Sequence, residues 1–168
     1  MPKFRMIQRQ RHVATCGPIA VANAIKWHGT QTSYRTVMKF MAGIRVYIPR
    51  IGMFPEDTGK LLRDLKLRHR ARRDLSLSEL NKHLDDGGSL LLTYVTATDF
   101  LHAVFIDGRT ENSYRVWNAV NHRTPWVGRD EMRAILRRSR ASNQLYAYLF
   151  QLLRNKNTRV QTNTLVIR

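Results

Sequence analysis

The feature that most constrains the fold of this 168-residue chain is a change of hydrophobic period at Gly87-Gly88. Before it, apolar residues recur at helical spacing; after it, they gather in short runs between turn signals. From Gly17, one helical face carries Ile19, Ala22 and Ile25, with Ala20, Ala24 and Trp27 beside it. Pro18 suits the first turn of that helix and Gly29 ends it. Thr32 or Ser33 can cap a second helix through YRTVMKFMA, closed by Gly43. FPEDTGKLLRDLKL reads as a third, its Pro55, Glu56 and Asp57 in the first turn, where the helix dipole favours acids. SLSELNKHLDD is a fourth, with a capping-box pattern from Ser76 to Glu79. Strands follow at 89–95, 101–107, 113–120 and 144–153, with a short helix, RDEMRAILRR, before the last. Helices first and neighbouring strands later predict an α+β fold, a helical half packed on an antiparallel sheet. Residues 3–10 read as a short extended segment. The domain spans 1–153, and 154–168 reads as a basic tail whose TLVIR could add an edge strand.

The core must hold without staples, because the chain has a single cysteine. A chain of this length with 43% hydrophobic residues and three tryptophans can bury a core without disulfides or metals. No apolar run is long enough to span a bilayer. Met1-Pro2-Lys3-Phe4-Arg5 has charge with no apolar stretch behind it, so no secretory signal is expected and the setting is cytoplasmic or virion-associated. Twenty-nine basic residues against twelve acidic leave a formal charge of +17, with runs at 68–73, 133–140 and 154–168. That balance predicts either a polyanionic partner such as nucleic acid or a solvated basic surface.

The lone cysteine is either core filler or a reagent. Cys16 stands where the first helix begins, and unpaired N–H groups there favour thiolate over thiol. On that ground its pKa is expected to fall below the ordinary thiol value. Gly17 allows close backbone approach, and Pro18 costs no hydrogen bond at that position.

A nucleophile needs a base. Five histidines, His12, His28, His69, His83 and His122, lie in polar or basic stretches. His102 instead sits inside the apolar strand LHAVFID, sharing a face with Val104 and Ile106 by alternation. If the loop GRTEN turns at Thr110 without a bulge, paired positions sum to 220 and His102 faces Asn118. The asparagine amide could then orient the imidazole toward Cys16. For an oxyanion formed at an attacked carbonyl, Gln10 offers a side-chain N–H six residues before the cysteine. Gln8 competes for that role, since alternation puts both glutamines on one face. No His, Cys, Asp and Glu set has metal-ligand spacing, so no cofactor or metal is expected.

Gln10-x5-Cys16-Gly17-Pro18, Ala20 and Asn23 on the following helix, then LHAVFIDG and Asn118 on the next strand, resemble the papain-like cysteine peptidases. Within that group the pattern is most similar to the bacteriocin-processing, double-glycine leader peptidases and their stand-alone relatives. Asn118-Ala119 departs from the Asp-Pro usual there and is nearer to papain itself. The resemblance covers roughly residues 5–150. It implies a papain-like fold and a peptide or protein substrate, with Cys16 as nucleophile, His102 as base, Asn118 as orienter and Gln10 as oxyanion donor. Hydrolysis and acyl transfer to an amine would use the same residues. The charge supports a reading of another class, a structural or nucleic-acid-associated protein, such as a virus-particle component, retaining a peptidase fold.

Overall fold

A computed structural model describes residues 4–8, 14–46, 48, 52–118 and 124–151. Gln10 and the tail 154–168, with its TLVIR, lie outside the described residues. Three helices lead, α1 (Cys16–Trp27), α2 (Tyr34–Gly43) and α3 (Pro55–Asp64). After the short strand β1 (Arg70–Arg72) comes α4 (Leu77–Asp85), and then β2 (Ser89–Val95), β3 (Leu101–Arg109), β4 (Ser113–Trp117) and β5 (Trp126–Gly128). Helix α5 (Arg129–Ala141) and strand β6 (Tyr146–Phe150) follow. The mixed α+β class agrees with the sequence reading.

Local chemistry explains most helix starts. Ser33 caps α2 through its hydroxyl, which accepts from the Thr36 N–H. Pro55 opens α3, and Ser76 with Glu79 forms both halves of the capping box on α4. Two strands escaped the periodicity. RAR at β1 and WVG at β5 are three residues each, too short to show alternation.

The strands form one six-stranded sheet in the order β1-β6-β2-β3-β4-β5, with every neighbouring pair antiparallel. Both faces are covered. On one, α1, α2 and α3 pack against Leu91, Ala103, Phe105, Tyr148 and Phe150. On the other, α4 and α5 pack against Leu90, Leu92, Val104, Ile106 and Leu149. Burial on both faces is why β2 reads as the unbroken run SLLLTYV, with every residue buried.

The β3–β4 hairpin differs from the expected register. The pairs are Phe105 with Trp117 and Ile106 with Val116, then Gly108 with Arg115 beyond a bulge at Asp107. The turn is tighter than the five-residue loop predicted. Thr110 Oγ1 accepts from the N–H groups of Asn112 and Ser113, which closes the chain around Glu111 and Asn112. The turn shifts the ladder by three positions and the bulge takes one back, so Asn118 does not sit directly opposite His102. The bulge turns the Asp107 carboxylate inward, where Arg115 Nε (2.6 Å) and Trp117 Nε1 (2.9 Å) donate to it.

Candidate functional site

Helix α1 runs through the interior, with every residue from Gly17 to Lys26 buried. Its length comes from an almost unbroken apolar sequence, which a helix packed on all sides requires. Cys16 is its first residue, half-buried among the helical-side core residues. Gly17 fills a tight spot, since a Cβ there would lie 3.0 Å from Met53 Cε and 3.2 Å from Met53 Cβ. The turn before the helix has Ala14 in the left-handed region (φ 66°), which swings the chain into α1.

Burial pushes the Cys16 thiol up, while the backbone N–H groups of Ala103, Gly17 and Cys16 itself pull it down more weakly. The lowered value expected from the helix N-terminus is therefore corrected: desolvation outweighs the dipole and N–H groups here. Alkylation of Cys16 by iodoacetamide should follow a titration displaced to higher pH than that of a free cysteine. A midpoint at or below the free-thiol value, measured by mass spectrometry across pH 6–10, would contradict that balance.

His102 lies near the start of β3, beside Ala103. Its Nε2 is 2.6 Å from the main-chain carbonyl of Asn118, and its ring meets Tyr94 edge-on at 5.8 Å. A carbonyl can only accept, so Nε2 carries the hydrogen and Nδ1 is the basic nitrogen of the neutral ring. Burial lowers the His102 pKa, against a smaller opposing effect of the Asn118 carbonyl. The ring is thus held neutral near pH 7. Asn118 is buried, follows β4 directly and adopts a left-handed backbone (φ 69°), which asparagine tolerates better than most residues. The sequence reading gave the orienting contact to the Asn118 side chain; here the main chain makes it, because the shifted register and the left-handed turn present the carbonyl.

Alternation places His102 on the face of Tyr94 and Val104, whereas Cys16 packs with Ala103 and Phe105 on the other. Among the described residues no hydrogen bond joins the thiol to the imidazole. Ala103, next to His102 near the start of β3, gives its N–H to the Cys16 thiol.

Residues 4–8, which have no regular secondary structure, link the two halves. The Ile7 N–H donates to Asn23 Oδ1 (2.8 Å), and Asn23 Nδ2 donates to the Ile7 carbonyl (3.0 Å). One turn on, Lys26 Nζ donates to the Arg5 carbonyl at 2.7 Å. Beyond Ile7, the Gln8 carbonyl accepts from the Asn118 N–H at 3.0 Å. A chain of hydrogen bonds therefore runs from the cysteine-bearing helix through Asn23, Ile7, Gln8 and Asn118 to His102. Asn23 is fully buried, and both ends of its amide are bonded to the strap. At the same join the Gln8 amide and Asn118 Nδ2 are buried with no hydrogen-bond partner among the described residues.

Of the four residues named from sequence, Cys16, His102 and Asn118 gather around Ala103 and the segment 4–8, and Gln10 lies outside the described residues. The sequence reading missed the clamping role of Asn23 and Lys26. Two polar residues inside the apolar run IAVANAIKW were the signal. Among the described residues no group of three or more His, Cys, Asp or Glu side chains could hold a metal ion. No helix of the described residues is long and apolar enough to cross a membrane.

No protein-family model and no curated protein matches this sequence. Solved structures do match its shape. The peptidase domain of Streptococcus ComA, a bifunctional ABC transporter of a quorum-sensing pathway, aligns with a TM-score of 0.62 at 12% identity, covering 88% of this chain and 98% of that one. A C39-like peptidase of Bacillus anthracis aligns with a TM-score of 0.61 at 11% identity, covering 90% and 96% of the two chains. Agreement over most of this chain and nearly the whole of both matched chains identifies the architecture: the chain has the papain-like α+β fold of the C39 peptidases.

Proposed function

We propose that this chain is a cysteine peptidase in which Cys16 attacks a peptide carbonyl and His102 handles the proton. The observation that carries this reading is the Asn118 carbonyl on His102 Nε2, which leaves Nδ1 as the basic nitrogen of a neutral imidazole. A raised thiol and a lowered imidazole favour an uncharged resting pair. Such a pair acts by general-base catalysis rather than from a preformed thiolate. As substrate enters, the His102 ring must turn toward Sγ, because the two side chains pack on opposite faces of β3.

The Cys16 thiol proton then passes to Nδ1 as Sγ bonds to the carbonyl carbon. Negative charge on the carbonyl oxygen rests on the Cys16 N–H and on a side-chain amide. Gln10 takes that second position, with Gln8 its competitor. Nδ1 returns the proton to the leaving amine as the C–N bond breaks, leaving a thioester. Water, deprotonated by the same nitrogen, releases the acid and restores the thiol.

Labelling tests this. A peptidyl epoxide or vinyl sulfone at neutral pH should give one adduct, on Cys16, and His102→Ala should slow its formation. Adducts that form equally fast on the His102→Ala protein would mean the imidazole does not assist the thiol. Absence of labelling in the native protein, where the denatured chain is labelled, would leave Cys16 a core residue.

A further inference from the structure

A cavity of about 430 Å³ lies where the C-terminal end of α1 meets β1 and α4. Lys66, Arg68, Arg70, His28, His69 and His83 line it, and no acidic residue does. We propose that this cavity binds a ligand through a phosphate group. It is separate from the peptidase site: α1 extends twelve residues from Cys16 to Trp27, roughly 18 Å at the helical rise.

Lys66, Arg68 and Arg70 come from one short segment between α3 and β1 and remain exposed. Among the described residues none of them forms an ion pair, whereas Arg72 just beyond is held by Asp74 and Glu79. Lys66 has a left-handed backbone (φ 56°), in the turn where the Leu67 N–H bonds back to the Leu62 carbonyl. Its chain path is thus fixed by the end of α3.

The histidines add directional groups. His28 Nδ1 is bonded to the Ala24 carbonyl, His69 Nδ1 to the Leu67 carbonyl and His83 Nε2 to the Ser89 carbonyl. Each carbonyl can only accept, so the other nitrogen of the neutral ring is the basic one and donates to a phosphate oxygen only once the ring is protonated. Three uncompensated cations suit a polyvalent anion, and arginine matches phosphate with paired N–H groups. The volume exceeds that of a lone phosphate and lies in the range of sites for small organic ligands. A larger cavity of about 510 Å³ at the start of α5 is unlike it, since Asp130 and Glu131 line that one beside Arg129 and Arg133.

The test titrates the full chain with pyrophosphate, ADP and a short duplex DNA in 50 mM salt, following histidine ring signals by NMR and affinity by calorimetry. Binding should move the signals of His28, His69 and His83. The triple variant Lys66→Asn, Arg68→Gln, Arg70→Gln should weaken affinity by tenfold or more; asparagine tolerates the left-handed turn at 66. The control Arg35→Gln, Lys39→Gln, Arg45→Asn removes equal charge around α2, including another left-handed position, Arg45 (φ 60°), and should change affinity less than twofold. ADP bound more tightly than pyrophosphate, with the duplex weak, would assign a free nucleotide. A duplex bound more tightly than ADP, with a salt slope near −0.9 for each phosphate contacted, would assign a nucleic-acid backbone. Equal losses in the two triple variants, or no binding of any probe, would overturn the proposal.

Discussion

His102→Ala is expected to lower peptide hydrolysis by about 10²–10⁴-fold, the usual contribution of a positioned proton-transfer group. Cys16→Ala should abolish it, because no other thiol exists in the chain. Asn118 separates two views of the site. Were its side chain the orienter, Asn118→Gly and Asn118→Ala should be equally damaging. With the main-chain carbonyl holding Nε2, glycine keeps that group and accepts the left-handed backbone, so Asn118→Gly should retain activity within about threefold. Alanine keeps the carbonyl but strains a φ of 69°, at a cost of order 1 kcal/mol, and should fall between wild type and His102→Ala. Turnover of a fluorogenic peptide, with the His102 proton titration followed by NMR, distinguishes these outcomes. A collapse of Asn118→Gly to the level of His102→Ala would return the orienting role to the side chain.

The second large effect falls on stability. Asn23→Leu fills a similar volume but leaves the Ile7 N–H and carbonyl without the amide that pairs with both. Leaving a buried polar group unsatisfied costs about 1–3 kcal/mol, so two such groups should lower unfolding free energy by about 2 kcal/mol or more. Urea unfolding measures this directly. The same change frees the segment whose Gln8 carbonyl holds the Asn118 N–H, so labelling of Cys16 should lose its dependence on His102 before the protein unfolds. Stability unchanged within about 0.5 kcal/mol, the range of ordinary surface substitutions, would show that the strap is not clamped by Asn23.

The helices were legible because their signals are local. Ser33, Pro55 and the Ser76–Glu79 box each act within one turn of chain, and all sit where the sequence puts them. Strands β2 and β3 were legible for a different reason, since their apolar runs are long enough to exclude a loop. Cys16, His102 and Asn118 could be singled out by residue type and setting. Their geometry could not, because it depends on one bulge at Asp107 and on a turn closed by a threonine hydroxyl. The burial that raises the Cys16 pKa comes from residues far away in sequence, whereas the helix-start argument sees only neighbours. Likewise the ladder partners of β1 and β5 supply what three residues alone cannot.

The sheet order also has a consequence for how the chain is made. Strand β6 is the last described strand to leave the ribosome, yet it lies between β1 and β2. Until residues 146–150 emerge, β1 has no partner and β2 presents an open edge. That edge belongs to SLLLTYV, which has no charge and no proline to deter pairing with another chain. Nascent or truncated chains that stop before Tyr146 are thus the species most exposed to aggregation. The sheet closes only after translation has passed it, through contacts distant in sequence that form slowly.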